Sequence, residues 1–277
     1  MSTDAVSSSA DAGTKTTTAG GQPLRCVLVA AGQFHDIDFA RLEILKLLFE
    51  DERIRVRVFE DFEHTEAIDD ADVLISYTCN LVPSLDSQQR LRSFVDRGGQ
   101  YFALHGSNSA LEFLEDGRVA SPDVMPLFSD LLGSRFVAHP PISEYSVRVA
   151  KPDHPLVSGL PASFTTRDEQ YLVTQNADLE VLLDTHYNGE DSLEGFVDDD
   201  LPAAHHPVFY IRRLGEGSVL YLTLGHCRGH YDMQPILDWW PEVDRCGWEQ
   251  PLVYELLRRG IRWVCTQASS RFDTPDT

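Results

Sequence analysis

The nine residues Leu24 to Gly32, LRCVLVAAG, are apolar almost without interruption. A strand with one wet face alternates apolar and polar side chains, so an unbroken run fits a strand covered on both faces, as in a parallel sheet. The stretch that follows, DFARLEILKLLFED, carries its apolar residues at helical spacing. Together they predict a β–α unit.

The unit repeats. IRVRVFED alternates as a strand and ADVLISYT is a second buried strand; SLDSQQRLRSFVDRGG opens on a capping serine, Ser84, and closes on glycines before the strand QYFALHG. Strands alternating with helices predict an α/β domain with a mostly parallel sheet and helices on both faces. The middle is less regular, with DVMPLFSDLLG as a short helix, EYSVRVA, LEVLLDTHY and HPVFYIRR as strands, and proline-rich connections at AHPPIS and KPDHPLVSGLP. Order returns in the strand GSVLYLTLGH and in QPLVYELLRRGIRWV, which places Leu252, Val253, Leu256, Leu257 and Ile261 on one helical stripe. Residues 1–22, rich in Ser, Thr, Ala and Gly, read as a disordered tail, 23–267 as one domain and 268–277 as a flexible tail.

Composition narrows the partners. Across 277 residues, 44 acidic against 23 basic side chains give a formal charge of −21, which repels nucleic acid and anionic membranes and leaves cations and neutral substrates as easy ligands. Five cysteines without a C-x-x-C pair suit reduced thiols and a cytoplasmic setting. The N-terminal stretch lacks the apolar segment of a secretory signal, and no apolar run approaches a membrane span. A homo-oligomer is compatible with all of this.

In an open parallel sheet, residues just beyond the carboxyl ends of the strands converge on the ligand site. Here those positions are rich in histidine: His35 and Asp36 after the first strand, His105 with Ser107 and Asn108 after the fourth, and His226 then Arg228 after the last. Imidazoles and carboxylates gathered in this way supply metal ligands or a general acid and base. TTRDEQYLV adds Asp168 and Glu169 just before Tyr171. There is no G-x-G-x-x-G, no phosphate-cradling G-x-x-x-x-G-K-[ST] and no G-x-S-x-G, which argues against a nucleotide cofactor and a standard serine hydrolase. In GHCRGH, Gly225 and Gly229 disfavour the helix that a zinc-protease motif needs.

The order of the histidine–aspartate pair, ALHG, AHPP, DHPLVSGLP, DEQY and GSVLYLTLGH before a helix ending RGIRWV resembles the trehalose-utilisation (ThuA-like) family, from about Leu24 to Cys265. The resemblance implies a flavodoxin-like fold of the class I glutamine amidotransferase type. In the amidotransferases the strand-to-helix elbow bears a nucleophilic cysteine; here His105 stands there, with His226 in the place of the later catalytic histidine, so a glutaminase lacks its nucleophile. The family implies catabolism of trehalose, related sugars or 3-keto sugars, with a metal bound in some relatives. The expected centre is His35, His105 and His226 as ligands of a divalent ion, zinc foremost, with Glu169 and Asp36 joining His105 and His226 in catalysis. Ser107, Asn108, His139, Tyr171 and Arg228 are the expected substrate-binding residues. The alternative is a sugar-binding or regulatory protein without catalysis. The family often has tryptophan and arginine where this chain has Tyr210 and Ser218, a difference expected to reshape the pocket.

Overall fold

The computed structural model describes residues 22–270. Apart from Gln22, the expected N-terminal tail lies outside the described residues, as do residues 271–277. The chain runs β1 (Leu24–Gly32), α1 (Ile37–Leu48), β2 (Ile54–Phe59), α2 (Thr65–Asp69), β3 (Val73–Cys79), α3 (Leu85–Asp96) and β4 (Gln100–Leu104). A short hairpin follows, β5 (Glu112–Phe113) with β6 (Val119–Ala120), then α4 (Pro126–Leu132), β7 (Ser134–Ala138), β8 (Ser143–Val149), β9 (Ser163–Asp168) and β10 (Leu172–Gln175). It ends with β11 (Glu180–Tyr187), β12 (Ala204–Leu214), β13 (Gly217–Leu222) and α5 (Pro251–Ser270). Helix α5 continues to Ser270 with Ala268 buried, so the domain boundary expected at 267 falls three residues short.

Nine strands form the main sheet in the order β2-β1-β3-β4-β13-β12-β11-β8-β9. The first five are parallel to one another, in a flavodoxin-like order that reverses between β1 and β3. The other four are antiparallel additions, which make the whole sheet mixed. The apolar run of β1 is explained by its two covered faces. Leu24, Cys26, Leu28 and Ala30 meet the buried stripes of α1 and α5, while Val27 and Val29 meet α2, α3 and α4.

On α5 the expected stripe is present, with Val253, Leu256, Leu257 and Ile261 buried and Leu252 partly buried against the same core; each fully buried side chain of this kind stabilises the fold by about 1.5–3 kcal/mol. Gly260 lets the helix approach closely, since a Cβ there would lie 2.5 Å from the Phe102 ring. Among the described residues no helix is long and apolar enough to cross a membrane.

Candidate metal centre

Three parallel strands deliver the histidines. Beyond β1 the chain turns through Phe34, presents His35, and enters α1 at Asp36, whose carboxylate accepts from the Phe39 N–H. His105 is the first residue past β4 and takes a left-handed backbone (φ 45°), a conformation costly for a side chain with a Cβ and kept only when its surroundings enforce it. The Tyr221 hydroxyl donates to the His105 carbonyl. Gly106 lets the turn lie against β3, where a Cβ would stand 2.7 Å from the Thr78 carbonyl. His226 follows β13, and Glu169 arrives from the antiparallel half of the sheet, just past β9.

His35, His105, Glu169 and His226 are all buried, and their ligand atoms lie within 4.8 Å of one another. His35 Nδ1 faces the Gln33 carbonyl at 3.2 Å and His105 Nδ1 faces the Thr223 carbonyl at 2.7 Å. A carbonyl only accepts, so each Nδ1 donates and each neutral ring presents a lone pair at Nε2. Yet these two Nε2 atoms are 2.9 Å apart. His226 Nδ1 is 3.1 Å from His35 Nε2 and 3.0 Å from Glu169 Oε1, and His105 Nε2 is 3.4 Å from Glu169 Oε2. Lone pairs this close repel unless a proton or a cation lies among them. Ligands at about 2.0–2.1 Å from a tetrahedral ion stand about 3.3 Å from one another, so the donor set fits a zinc-sized ion.

The electrostatics of the cluster are divided. Burial, together with the neighbouring His105 and His226, holds the His35 pKa well below the ordinary imidazole value. Burial likewise lowers His226, against the pull of Glu169. Burial also opposes charge on His105, but its hydrogen bond and attraction to Glu169 raise its pKa overall. Burial alone would raise Glu169; His139, His226 and His105 instead hold it well below the usual carboxylate range.

Asp168 organises the loops around the centre. Its Oδ1 accepts the N–H groups of Glu169 (2.8 Å) and His226 (3.1 Å), and its Oδ2 those of Gly225 (2.9 Å) and Gly247 (3.2 Å). One buried carboxylate thereby ties the exits of β9 and β13 together. The sequence pairs Asp168 with Glu169 as a source of a ligand or general base, not as an organiser of loops, because three of the four backbone groups it collects are 57 to 79 residues away.

Other expected residues divide plainly. His139 Nε2 lies 3.4 Å from Glu169 Oε1, Arg228 lies 3.8 Å from the same oxygen, and the Tyr171 hydroxyl is 3.2 Å from His105 Nε2. All three line the cavity above the centre. Asp36 does not join the cluster: it caps α1 and pairs with Arg245 at 2.8 Å. Ser107 and Asn108 are a correction, because the tight turn His105–Asn108 curls back into the core. Ser107 bonds Ser76 and the Leu104 carbonyl, Asn108 bonds Ser134, and neither lines the cavity. Tyr210 and Ser218 are also core residues, bonded to Ser134 and Gln100 respectively, and do not shape the pocket.

The family profile for trehalose utilisation (ThuA) matches residues 26–240. The chain belongs to the ThuA family. A ThuA-like protein from Bacteroides uniformis is 20% identical with a TM-score of 0.60, covering 90% of this chain and 94% of its own. One from Parabacteroides merdae is 17% identical with a TM-score of 0.60, covering 88% and 91%. A β-galactosidase from Rahnella is 13% identical with a TM-score of 0.51, covering 92% of this chain but 32% of its own. At these identities the likeness shows a shared fold. No curated protein matches the chain. Membership of the ThuA family connects the chain with trehalose utilisation, and the buried His/Glu group could hold a metal ion.

Proposed function

We propose that this ThuA-family chain is an enzyme of carbohydrate catabolism acting on a sugar or keto-sugar, of the trehalose type or its 3-keto derivative. Its centre is His35, His105, Glu169 and His226. The observation that carries this reading is the convergence of His35, His105, His226 and Glu169, whose ligand atoms lie within 4.8 Å of one another with His35 Nε2 and His105 Nε2 2.9 Å apart, at a cavity wall. Imidazole and carboxylate donors together suit zinc. A divalent ion held by His35, His105, Glu169 and His226 would polarise a carbonyl or a vicinal diol.

The surrounding side chains supply orientation and protons. Burial pushes the Tyr171 phenol well above its ordinary pKa, so it stays protonated and serves as a donor. His139 has the Pro140 carbonyl 2.7 Å from Nδ1 and Glu169 Oε1 3.4 Å from Nε2, which fix its ring in the cavity wall. Partly exposed to the cavity, its imidazole is placed to exchange a proton with a bound substrate. Arg228, in the same wall, orients hydroxyl or carbonyl oxygens. Cys79 also lines the cavity, but burial drives its thiol pKa far up, so it offers no thiolate for a glutaminase mechanism.

The test incubates wild type and His226→Gln, with zinc supplied, with trehalose, related disaccharides and their 3-keto forms, following product by mass spectrometry and binding by calorimetry. The expected outcome is turnover by wild type and a loss on the order of 10²-fold in the variant, with much of the affinity retained. Binding without turnover by the wild type would make this a sugar-binding protein. Undiminished turnover in the variant would remove His226 from the reaction.

A further inference from the structure

Two cavities meet at the centre, sharing His139, Glu169 and Arg228 in their walls. The first, about 220 Å³, is walled by Phe34, Leu111, Phe113, Phe136, Phe196 and Met233. Phe34 and Phe113 pack with ring centroids 4.9 Å apart, and Phe136 and Phe196 pair at 5.9 Å. These pairs belong to two separate apolar clusters that both include Leu111 at their edge. Away from the centre and Tyr171, the hydroxyl this lobe offers is that of Ser109. The second, about 310 Å³, is different in kind: Trp240 lies among Arg167, Glu242 and Asp244.

A pyranose ring carries hydroxyl groups around its rim, and each one buried without a partner costs about 1–3 kcal/mol. The second lobe can satisfy them, with both donors and acceptors beside an indole. The first cannot. If a disaccharide spanned the site, the ring placed among the phenylalanines would leave several hydroxyls unpaired. An aromatic ring leaves none, and it packs edge-to-face or offset against phenyl walls. Size agrees, since an apolar cavity of about 150 Å³ holds benzene; about 220 Å³ accommodates one six-membered aromatic ring with a small substituent.

We propose that the substrate is an aryl glycoside or its keto form, with the sugar in the Trp240 lobe and a single-ring aromatic aglycone among the phenylalanines. The bond between them lies against Glu169, His139 and Arg228. This assignment rests on the reading that the site acts on carbohydrate. It moves the specificity away from trehalose itself, whose two halves are equally polar.

Calorimetry on the full chain, with zinc supplied, separates the two readings. The probes are phenyl glucosides of both anomers, the matching methyl glucosides, trehalose and phenol. One phenyl glucoside should bind about tenfold or more tightly than its methyl counterpart and than trehalose, with phenol alone weaker than either phenyl glucoside, as burial of one aromatic ring implies. Phe196→Ser should weaken phenyl glucoside binding severalfold more than methyl glucoside binding, with circular dichroism confirming the fold. The wild-type series carries the test if the variant fails to fold. Trehalose or methyl glucoside binding as tightly as phenyl glucoside overturns the aromatic lobe and leaves the carbohydrate reading intact. Phenol matching phenyl glucoside, or no sugar binding at all, overturns both.

Discussion

His105 stands in a left-handed backbone conformation with its Nδ1 committed to the Thr223 carbonyl, which leaves Nε2 to face His35. Binding a cation relieves that contact, so zinc should raise the melting temperature of metal-stripped protein. Purified wild type is expected to hold close to one equivalent of zinc by elemental analysis. His105→Ala should lose both the metal and the zinc-dependent rise. A metal-free wild type that is folded and active would end the metal version while leaving an acid/base centre. His35, His105 and His226 were legible in the sequence because each lies within a few residues of the end of an apolar strand, and strand ends converge by topology alone. Ser107 and Asn108 were misread for the same reason: proximity to a strand end does not say which way the next turn curls, and here it turns inward. The phenylalanine wall was not legible, because Phe34, Phe113, Phe136 and Phe196 come from four separate segments with no shared spacing.

At the scale of elements, the strands and helices of the parallel half follow from unbroken apolar runs and helical stripes, which depend on local burial. The direction of the later strands does not, since β8, β9, β11 and β12 have lengths and compositions that suit either orientation. That direction matters because β9 brings Glu169 to the same edge as the three histidines. The joint between the two halves is Asp168. Burial raises its pKa against the pull of His105, His226 and its backbone donors, and its four N–H contacts satisfy both carboxylate oxygens. Asp168→Asn keeps the size but replaces an accepting oxygen with an NH2 group facing backbone donors. The expected cost is about 1–3 kcal/mol of stability, together with weaker zinc retention, read by urea melts and metal analysis. A variant with unchanged stability would show that the β9 and β13 exits hold their positions without this carboxylate.

At the scale of the whole molecule, the core buries all five cysteines as free thiols. Cys26 in β1 and Cys265 in α5 sit where the apolar patterns around them predict, whereas Cys79 ends β3 and Cys227 and Cys246 lie between β13 and α5, in segments whose enclosure the sequence does not disclose. Burial pushes Cys227 and Cys265 up to about 12 and raises Cys26, Cys79 and Cys246 as well. An unfolded thiol ionises near about 8.5. Since the folded pKa is raised, the stability linked to each thiol is fully present below about pH 8.5 and is lost as pH climbs toward the folded value. Each fully buried thiol then removes on the order of 2 kcal/mol between pH 8 and 10, and several acting together approach the about 5–15 kcal/mol that holds a typical domain folded. Urea melts at pH 7.5, 9 and 10 should therefore show a steep alkaline loss. Cys265 lies on α5, away from the candidate centre, with Cys26 as its charged-form neighbour. Cys265→Ala should cost some stability at pH 7.5 by leaving a small void, yet lose less than wild type on going to pH 10, by on the order of 2 kcal/mol. Comparing each protein with itself across pH removes the packing cost from the result. An equal alkaline loss in wild type and variant would show that Cys265 ionises in the folded core as readily as in the unfolded chain.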